Sequence, residues 1–402
     1  MKYRFFAMLL VMVMLCACLT GATADEKEQI FEFQNYKYTL LEDGTAEIVG
    51  YTSSAGKVLI PDTLDGKTVT RIRDNPFSGC HNLKKISVSP ENGFFATIDD
   101  VLFRKSDKTL IAYPPAKLAE TYTIPQGVQR IGEGAFKSCT SLTDVTIPDS
   151  VVEIENNPFY GCTSLIQITV SPKNTIFSVN NGVLFDKSTK TLLVYPEAKS
   201  GKSYAIPQGT QKIADSAFYC ATLENVTVPN SVVQIGAWAF AYCKALTSIA
   251  IPNSVTQIGE HAFTACKQLK LVTIPNSVTQ IGEYAFIGCS AISSITLPDN
   301  ITQIEEGTFY ACSDLTSIII PNSVVQIKKE AFYKCASLTD AVILNAVTEI
   351  DTSAFDGCTY LTLTVPHDSY ALDYAKNNNI SYTYSDANDW LNNYSNSQKS
   401  SQ

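Results

Sequence analysis

A fixed spacing of cysteines constrains the fold of this chain more than any other feature. The interval from Cys139 to Cys162 recurs without change between seven further cysteines, from Cys220 to Cys358. Two longer intervals, from Cys80 to Cys139 and from Cys162 to Cys220, interrupt the series. A period of about 23 residues is typical of a solenoid, in which each repeat forms one coil and stacked coils bury a continuous core. The chain is therefore expected to present a long surface rather than a catalytic cleft.

The whole unit repeats, and its residues predict one coil. Segments 251–273 and 274–296 read IPNSVTQIGEHAFTACKQLKLVT and IPNSVTQIGEYAFIGCSAISSIT, and the general pattern is IPxSVxxIxxxAFxxCxxLxxV. Alternating residues before each Ile-Pro predict a short strand, which the proline ends. The Gln-Ile pair predicts a second extended piece, and Ala-Phe to Cys predicts a tight helical turn that points Phe and Cys inward. Equivalent strands of successive coils should pair in parallel, and ten cysteines predict ten coils.

Two inserts and two end caps depart from the repeat. Inserts near 84–120 and 167–203 contain VLFRKSDKTLIAYP and VLFDKSTKTLLVYP, and each is interpreted as a hairpin that projects from the stack. The remaining segments are expected to be an N-terminal cap with a hairpin, the solenoid, a C-terminal cap with a short helix and strand, and a disordered tail. Their boundaries are 25–72, 73–365, 366–385 and 386–402.

The segment 1–24 is expected to be a secretion signal. Lys2 and Arg4 precede an apolar run, Phe5–Leu15, which is too short to span a bilayer. Small residues before Asp25 supply a cleavage site. A rival interpretation is a bacterial lipobox with Cys18 as the lipidated residue. Both interpretations predict a secreted or cell-surface protein, and no later segment is long and apolar enough to predict a membrane span.

The repeat and the inserts together resemble the BspA-type leucine-rich repeat of surface proteins from anaerobic bacteria and some parasitic protists. The similarity covers nearly all of residues 36–384 and includes the VLFxKxxKTLxxYP inserts. It implies a β-rich, leucine-rich-repeat-like solenoid, a right-handed coil with parallel strands, two hairpin inserts and end caps. It also implies a surface protein of the kind assigned to adhesion and to binding of host proteins such as fibronectin or fibrinogen. The family has no catalytic residues to carry over.

The stacked cysteines raise the question of disulfide or metal chemistry. Neighbouring cysteines would lie within disulfide range, and export permits oxidation. Parallel side chains pointing into a core face the wrong way to bridge, so a column of buried free thiols is the main interpretation and disulfides are the alternative. The sequence has no CxxC pair, only three histidines and no catalytic motif. Neither a metal, nor a cofactor, nor enzymatic activity is therefore expected.

Surface columns of the solenoid are the remaining candidates for a binding site. The outward strand position turns apolar toward the carboxy end, tyrosine follows the repeat phenylalanine in several coils, and the insert tips carry phenylalanines. Tyrosine suits contact because it is large, rigid and amphipathic, and inserted loops of repeat proteins often line the binding face. The candidate residues are Ile319, Val342, Tyr310, Tyr333, Phe94, Phe95 and Phe177.

The net charge of the chain limits the class of partner it can bind. The formal net charge of −9 argues against binding to nucleic acid or to anionic lipid, since both require clustered lysine and arginine. The expected partner is an extracellular protein or glycan. Two functions stay open, an adhesin-like binding module and a structural, self-associating spacer of the cell envelope, and the sequence leaves the oligomeric state open.

Overall fold

The computed structural model describes residues 28–74 and 76–385 of the chain. The predicted signal peptide, Cys18 and the predicted disordered tail lie outside these residues. Within the described part the chain forms 33 strands and one helix, arranged as a parallel-strand solenoid of about 15 turns. The turns outnumber the ten that the cysteines mark, because the inserts and caps also contribute strands to the stack.

The amino-terminal strands lead from antiparallel pairs into the stack. They are β1 (Phe31–Phe33), β2 (Tyr36–Leu40), β3 (Ala46–Tyr51), β4 (Lys57–Ile60), β5 (Thr63–Leu64), β6 (Lys67–Ile72) and β7 (Lys85–Val88). β2 and β3 pair antiparallel around the expected turn at Asp43 and Gly44, where Gly44 adopts the positive φ of 77°. β3 pairs in parallel with β6, and β4 pairs in parallel with β7, so these strands form the first rungs of the solenoid.

A regular coil contributes one long and one short strand, except that between β25 and β28 the long strand is reduced to isolated bridges at Ser294 and Thr296. The long strands are β11 (Thr121–Thr123), β13 (Asp144–Ile147), β15 (Gln167–Val170), β19 (Ser203–Ala205), β21 (Asn225–Thr227), β23 (Ser248–Ala250), β25 (Leu271–Thr273), β28 (Ser317–Ile319), β30 (Asp340–Val342) and β32 (Thr362–Val365). The short strands are β12 (Arg130–Ile131), β14 (Glu153–Ile154), β20 (Lys212–Ile213), β22 (Gln234–Ile235), β24 (Gln257–Ile258), β26 (Gln280–Ile281), β27 (Gln303–Ile304), β29 (Gln326–Ile327) and β31 (Glu349–Ile350).

The register of the long strands follows from burial. In β25 only the middle residue, Val272, faces the core, and it pairs with Ile249 of β23. A slip of one residue would turn Val272 toward water and bring Leu271 and Thr273 inward. The common period repeats this register along the stack, which confirms the predicted parallel pairing.

The third side of each coil is the tight turn that carries the repeat phenylalanine. Here the backbone N–H of one coil donates to a carbonyl of the next, as from Phe263 to Ala285 and from Ala265 to Ile287, both at 2.8 Å. The phenylalanine rings stack in the core, with the centroids of Phe263 and Phe286 at 5.2 Å and an interplanar angle of 3°. Backbone bonds and stacked rings therefore hold this side together.

The predicted hairpins form, but they do not project from the stack, which corrects that part of the prediction. Each insert is a three-stranded antiparallel meander inside the stack, formed by β8 (Phe95–Ile98), β9 (Val101–Arg104) and β10 (Thr109–Ala112), and by β16 (Phe177–Asn180), β17 (Val183–Asp186) and β18 (Thr191–Val194). The last strand of each meander pairs in parallel with the next short strand, β12 or β20. The side chains of β10 are all buried, so the insert behaves as part of a coil.

Each insert also supplies a ring to the phenylalanine stack. The Tyr195 ring lies 5.1 Å from Phe218, and Tyr113 lies 5.5 Å from Phe136. These tyrosines precede the prolines of the two Tyr-Pro pairs that the sequence repeats. Each insert therefore begins a new run of ring contacts, one from Tyr113 through Phe136 to Phe159 and one from Tyr195 through Phe218 onward.

The C-terminal cap covers the last coil. Helix α1 (Tyr370–Asn377) begins after Ser369, whose side chain accepts a hydrogen bond from the Leu372 N–H, and it buries Leu372 and Tyr374. The Tyr374 ring lies 6.2 Å from Phe355 and ends the aromatic column. The final strand, β33 (Ser381–Tyr384), pairs in parallel with β32.

Candidate functional site

The described cysteines are free thiols, and nine of the ten are buried. Each column thiol has a polar partner: the Sγ of Cys289 lies 3.0 Å from the carbonyl oxygen of Phe263, and the Sγ of Cys266 lies 3.1 Å from that of Phe240. Burial raises the pKa of Cys312 to about 12. The column is thus part of the core, made of thiols whose Sγ atoms donate to carbonyl groups of the preceding coil.

Cys220 does not belong to this column, although its spacing placed it there. The residue three positions after Phe218 is Ala221, which is buried and whose N–H donates to the Phe218 carbonyl, as the column cysteines do in their coils. Cys220 instead occupies the preceding position, with φ of 58°, and is half-buried. This coil is one residue shorter than the equivalent coil after the first insert, and the deletion therefore lies after Ala221. Cys220 faces outward.

The sheet face is the outer surface of the long strands. Its exposed side chains are mostly Thr, Ser, Asn and Asp, but Leu271 and Ile319 are 61% and 65% exposed. Ile319 pairs directly with Val342 of the next coil, which is half-buried. The predicted pair therefore forms one apolar patch on an otherwise polar and regularly hydrogen-bonded surface, with Leu271 two coils before Ile319.

The insert phenylalanines were assigned to exposed tips, and the structure contradicts this for two of the three. Phe94 is 43% exposed, whereas Phe95 and Phe177 are buried at 1% and 3%. Each buried ring follows an asparagine that fastens the insert to the coil before it: Asn92 and Asn174 accept from the N–H groups of Phe95 and Phe177 at 3.1 and 2.7 Å. Phe95 and Phe177 are core residues and are withdrawn as contact candidates.

Tyr310 and Tyr333 lie on the turn side, away from the sheet. Both are half-buried, and their rings stack on each other with centroids 4.8 Å apart. The Lys334 ammonium lies 5.0 Å from the Tyr333 centroid. The predicted residues are therefore divided among the sheet face, the turn side and the first insert, and the structure does not bring them together as one site.

A cleft on the turn side was missed by sequence reasoning. It has a volume of about 430 Å³ and is lined by Tyr160, Tyr219 and Trp238, with Asp74 and Glu133 among its polar groups. The Tyr160 and Tyr219 rings lie 4.3 Å apart and their hydroxyls 2.7 Å apart. The available signal was Trp238, one of only two tryptophans, at a position that several other coils give to serine or glycine.

The cleft exists because the second insert interrupts the backbone ladder. In regular coils the phenylalanine N–H donates to the next coil, but here the insert's Tyr195 N–H takes the Ala217 carbonyl at 2.7 Å. The Phe159 N–H donates instead to the side chain of Asn157 at 3.1 Å, and the Asn157 amide donates to the Ser216 carbonyl at 2.8 Å. A side chain thus replaces backbone pairing, and the two coils separate at the surface.

Carboxylates around this interruption are shifted toward their protonated forms. Burial and the neighbouring acidic charges raise the pKa of Glu133, and burial followed by Glu155 raises the pKa of Asp74. Burial raises the pKa of Glu197 to about 7, although its carboxylate accepts the Gly161 N–H at 2.7 Å. Asp74 and Glu133 line the cleft together with one cation, Lys137, whereas Glu197 lies outside the lining. The cleft is therefore rich in hydrogen-bond acceptors, and its carboxylates outnumber its cation.

No described helix is long and apolar enough to cross a membrane. Among the same residues, no group of three or more histidine, cysteine, aspartate or glutamate side chains could hold a metal ion.

The stacked strands, apolar column and surface clefts define a leucine-rich-repeat solenoid, a class whose members are typically binding scaffolds rather than enzymes. The family model for the BspA type Leucine rich repeat region matches in six copies, over residues 58–118, 112–247, 194–290 and 234–362. The chain belongs to the BspA-type leucine-rich repeat family.

Solved structures show the same fold. The pneumococcal vaccine antigen PcpA is 19% identical over 89% of this chain and 98% of its own, with a TM-score of 0.52. A leucine-rich repeat protein from Eubacterium ventriosum is also 19% identical, over 82% of this chain and 95% of its own, with a TM-score of 0.51. No curated protein matches the chain.

Proposed function

We propose that this chain is an adhesin-like binding module, displayed outside the cell, that holds an extracellular protein against its sheet face. The observation that carries the proposal is the exposure of Leu271 and Ile319, at 61% and 65%, on the last strand of one parallel sheet and the first strand of the next. An exposed apolar patch with a polar surround is typical of a protein interaction site. The backbone ladder pre-organises the surface, so little conformational freedom is lost on binding.

Display outside the cell rests on the export signal read in residues 1–24 and on membership in the family. Two modes of display are compatible with the sequence: free secretion after cleavage near Ala24, and anchoring through a lipid on Cys18. Intact-mass measurement of the protein from its native host distinguishes them, since the second mode removes residues 1–17 and adds acyl chains.

Self-association is the second candidate, and the same patch favours it. Two copies could bury Ile319 and Val342 against each other, and the chain would then act as a spacer in the cell envelope. The two candidates differ in what covers the patch, a foreign protein or a second copy, so the oligomeric state and the ligand response must be measured on the same variants.

Binding to immobilised fibronectin and fibrinogen tests the proposal, because the family resemblance suggests these proteins as ligands. Ile319→Asp and Leu271→Asp should weaken binding at least about tenfold, since a charge would be buried in the contact. Val325→Asp is the matched control: Val325 is 40% exposed but lies beside the short strands, so its binding should stay within about twofold.

Light scattering on the same proteins separates the alternatives. Concentration-dependent oligomers that Ile319→Asp abolishes, with no binding to either ligand, would support the spacer and contradict the adhesin-like role. Equal binding by Ile319→Asp, Leu271→Asp and the unmodified protein would show that the sheet face is not the contact surface.

A further inference from the structure

The cleft on the turn side lies at the open end of a stacked ring ladder. The outer ring ladder consists of Trp238, His261 and Tyr284, which occupy the same position in successive coils. The Trp238 and His261 centroids lie 4.0 Å apart, and those of His261 and Tyr284 lie 5.1 Å apart, with interplanar angles of 17° and 9°. Stacking fixes the orientation of Trp238, because His261 covers one face of its indole.

The two ends of the ladder differ. At Tyr284 the next coil has Gly307, and a Cβ added there would overlap the Tyr284 ring, so backbone closes this end. At Trp238 the preceding coil has Ser216, and both residues line the cleft of about 430 Å³. The ladder thus lacks a rung where the stack is interrupted, and Trp238 offers a flat apolar surface beside the missing rung.

The rest of the cleft is polar and carries both donors and acceptors. Asp74 and Glu133 supply carboxylates, and the exposed Asn156 supplies an amide that both donates and accepts. The paired rings of Tyr160 and Tyr219 form another part of the lining. A flat aromatic surface beside hydroxyl-binding groups suits a pyranose, which has an apolar C–H face and a rim of hydroxyls.

Other small ligands fit less well. A cation would compete with the chain's own Lys137, whose ammonium already lies 5.2 Å from the Tyr160 centroid. Phosphates and uronic acids would meet Asp74 and Glu133 at short range. A purely apolar ligand would leave the carboxylates and the Asn156 amide without partners.

We propose that the aromatic cleft between Tyr160 and Trp238 is a carbohydrate-binding site for a neutral oligosaccharide, with one sugar ring stacked on Trp238. The site is separate from the sheet face, so this inference holds whether or not a protein ligand binds there. Its specificity would come from Asp74, Glu133 and Asn156, which recognise hydroxyl groups at the rim.

Tryptophan fluorescence tests the proposal directly. The sequence has two tryptophans, so in a Trp390→Phe background only Trp238 emits. Cellotriose, chitotriose and mannotriose are titrated as neutral probes, and trigalacturonate as an acidic one. We expect at least one neutral trisaccharide to change the Trp238 emission saturably, with a dissociation constant of about 1 mM or lower, and the acidic probe to bind at least about tenfold more weakly.

Calorimetry on matched variants locates the contact. Trp238→Ser places the residue of the preceding coil at this position and should weaken binding of the responding sugar at least about tenfold. Tyr284→Ser, the same change at the closed end of the ladder, should leave binding within about twofold. Asn156→Ala should weaken binding without affecting stability, because its side chain is exposed.

Several results would overturn the inference. No saturable response to any neutral trisaccharide, or equal binding by Trp238→Ser and the unmodified protein at equal thermal stability, would show that the cleft is not a sugar site. A response to tetramethylammonium alone would assign it to cations, and a response to fibronectin alone would assign it to a protein.

Discussion

Backbone N–H groups on the turn side have different acceptors in two regions of the molecule. One region is the regular coils, residues 228–365, and the other is the interruption at the second insert. In the regular coils alternate turn-side N–H groups donate to the next coil, as from Phe309 to Ala331 at 2.8 Å. At the interruption the side chains of Asn157 and Glu197 accept the Phe159 and Gly161 N–H groups, which have lost such partners. Successive identical coils satisfy each other's backbone hydrogen-bonding groups. Where a coil departs from the repeat, the side chains of particular residues must supply the missing acceptors.

This difference explains where distinctive chemistry occurs in the molecule. A cleft of about 440 Å³ also lies along the regular coils, but it is lined mainly by glutamine, glutamate and glycine and has no aromatic ring. The interruption produces a cleft, a carboxyl with a strongly shifted pKa and an outward cysteine within a few coils of one another. The comparison therefore predicts that substitutions at the interruption have effects that the same changes in regular coils do not.

Asn174→Ala should give the largest effect. The Asn174 amide donates to the carbonyls of Pro148 and Val151, both at 2.9 Å, and its oxygen accepts from Ile176 and Phe177 at 2.9 and 2.7 Å. Alanine would leave these buried groups without partners, so the free energy of unfolding should fall by about 3 kcal/mol or more. Urea denaturation followed by circular dichroism measures the loss.

Asn276→Ala is the matched control from a regular coil. The Asn276 side chain also makes two hydrogen bonds, to Asp299, but it is exposed, so its removal should cost about 0.5 kcal/mol or less. Similar losses for the two variants would mean that the insert is not fastened through Asn174. Asn92→Ala, in the first insert, should behave like Asn174→Ala.

The repeat period in the sequence predicts the structural features that successive coils share. Parallel pairing and the inward Phe and Cys follow from the repeated residues, because equivalent side chains in register have one way to be buried. The interruptions were harder to predict. The VLF and Tyr-Pro segments show two related inserts, but their packing into the stack is shown by the bonds of Asn92 and Asn174 across coils and by the parallel pairing of β10 and β18.

The site was less predictable than the fold. Counting positions between cysteines placed Cys220 in the core, whereas the burial of Ala221 decides the register of that coil. The aromatic cleft joins coils that are distant in sequence, and its size depends on which backbone groups the insert occupies. The sequence holds only partial signals of the two features: Trp238 for the cleft, and the interval from Phe218 to Cys220, which is one residue shorter than in the other coils. The exposed Ile319 was predictable, since it breaks a column of small polar residues.

Glu197→Gln should stabilise the protein at alkaline pH. Burial raises the pKa of Glu197 from about 4.5 in the unfolded chain to about 7, so the folded state holds this proton more tightly. The resulting stability is complete below about pH 4.5 and is lost as the pH rises to about 7. Glutamine still accepts the Gly161 N–H and carries no charge. At about pH 8 the variant should be more stable by about 2 kcal/mol, allowing for partial solvent access.

The test is how the difference in stability between Glu197→Gln and the unmodified protein changes with pH. Denaturation midpoints of the two proteins should converge between about pH 8 and pH 5, because Glu197 becomes protonated in the folded state. Glu283→Gln, at an exposed position in a regular coil, should show no such convergence. A constant difference across this range would place the cause in packing rather than in the carboxyl charge.

Of the substitutions considered, those of cysteine should change the free energy of unfolding least. Cys220 and Cys289 should differ more clearly in their reactivity toward alkylating agents. Cys289→Ala removes a buried thiol that donates to Phe263, at a cost of about 1 kcal/mol, whereas Cys220→Ala should change stability by less than about 0.5 kcal/mol. Burial, followed by the charge of Glu197, raises the pKa of Cys220 to about 11. Its alkylation in the folded protein should therefore be slow at neutral pH and accelerate toward that value. Peptide mapping after iodoacetamide treatment distinguishes the sites, and equal labelling of Cys220 and Cys289 would contradict the assignment of Ala221 to the core column.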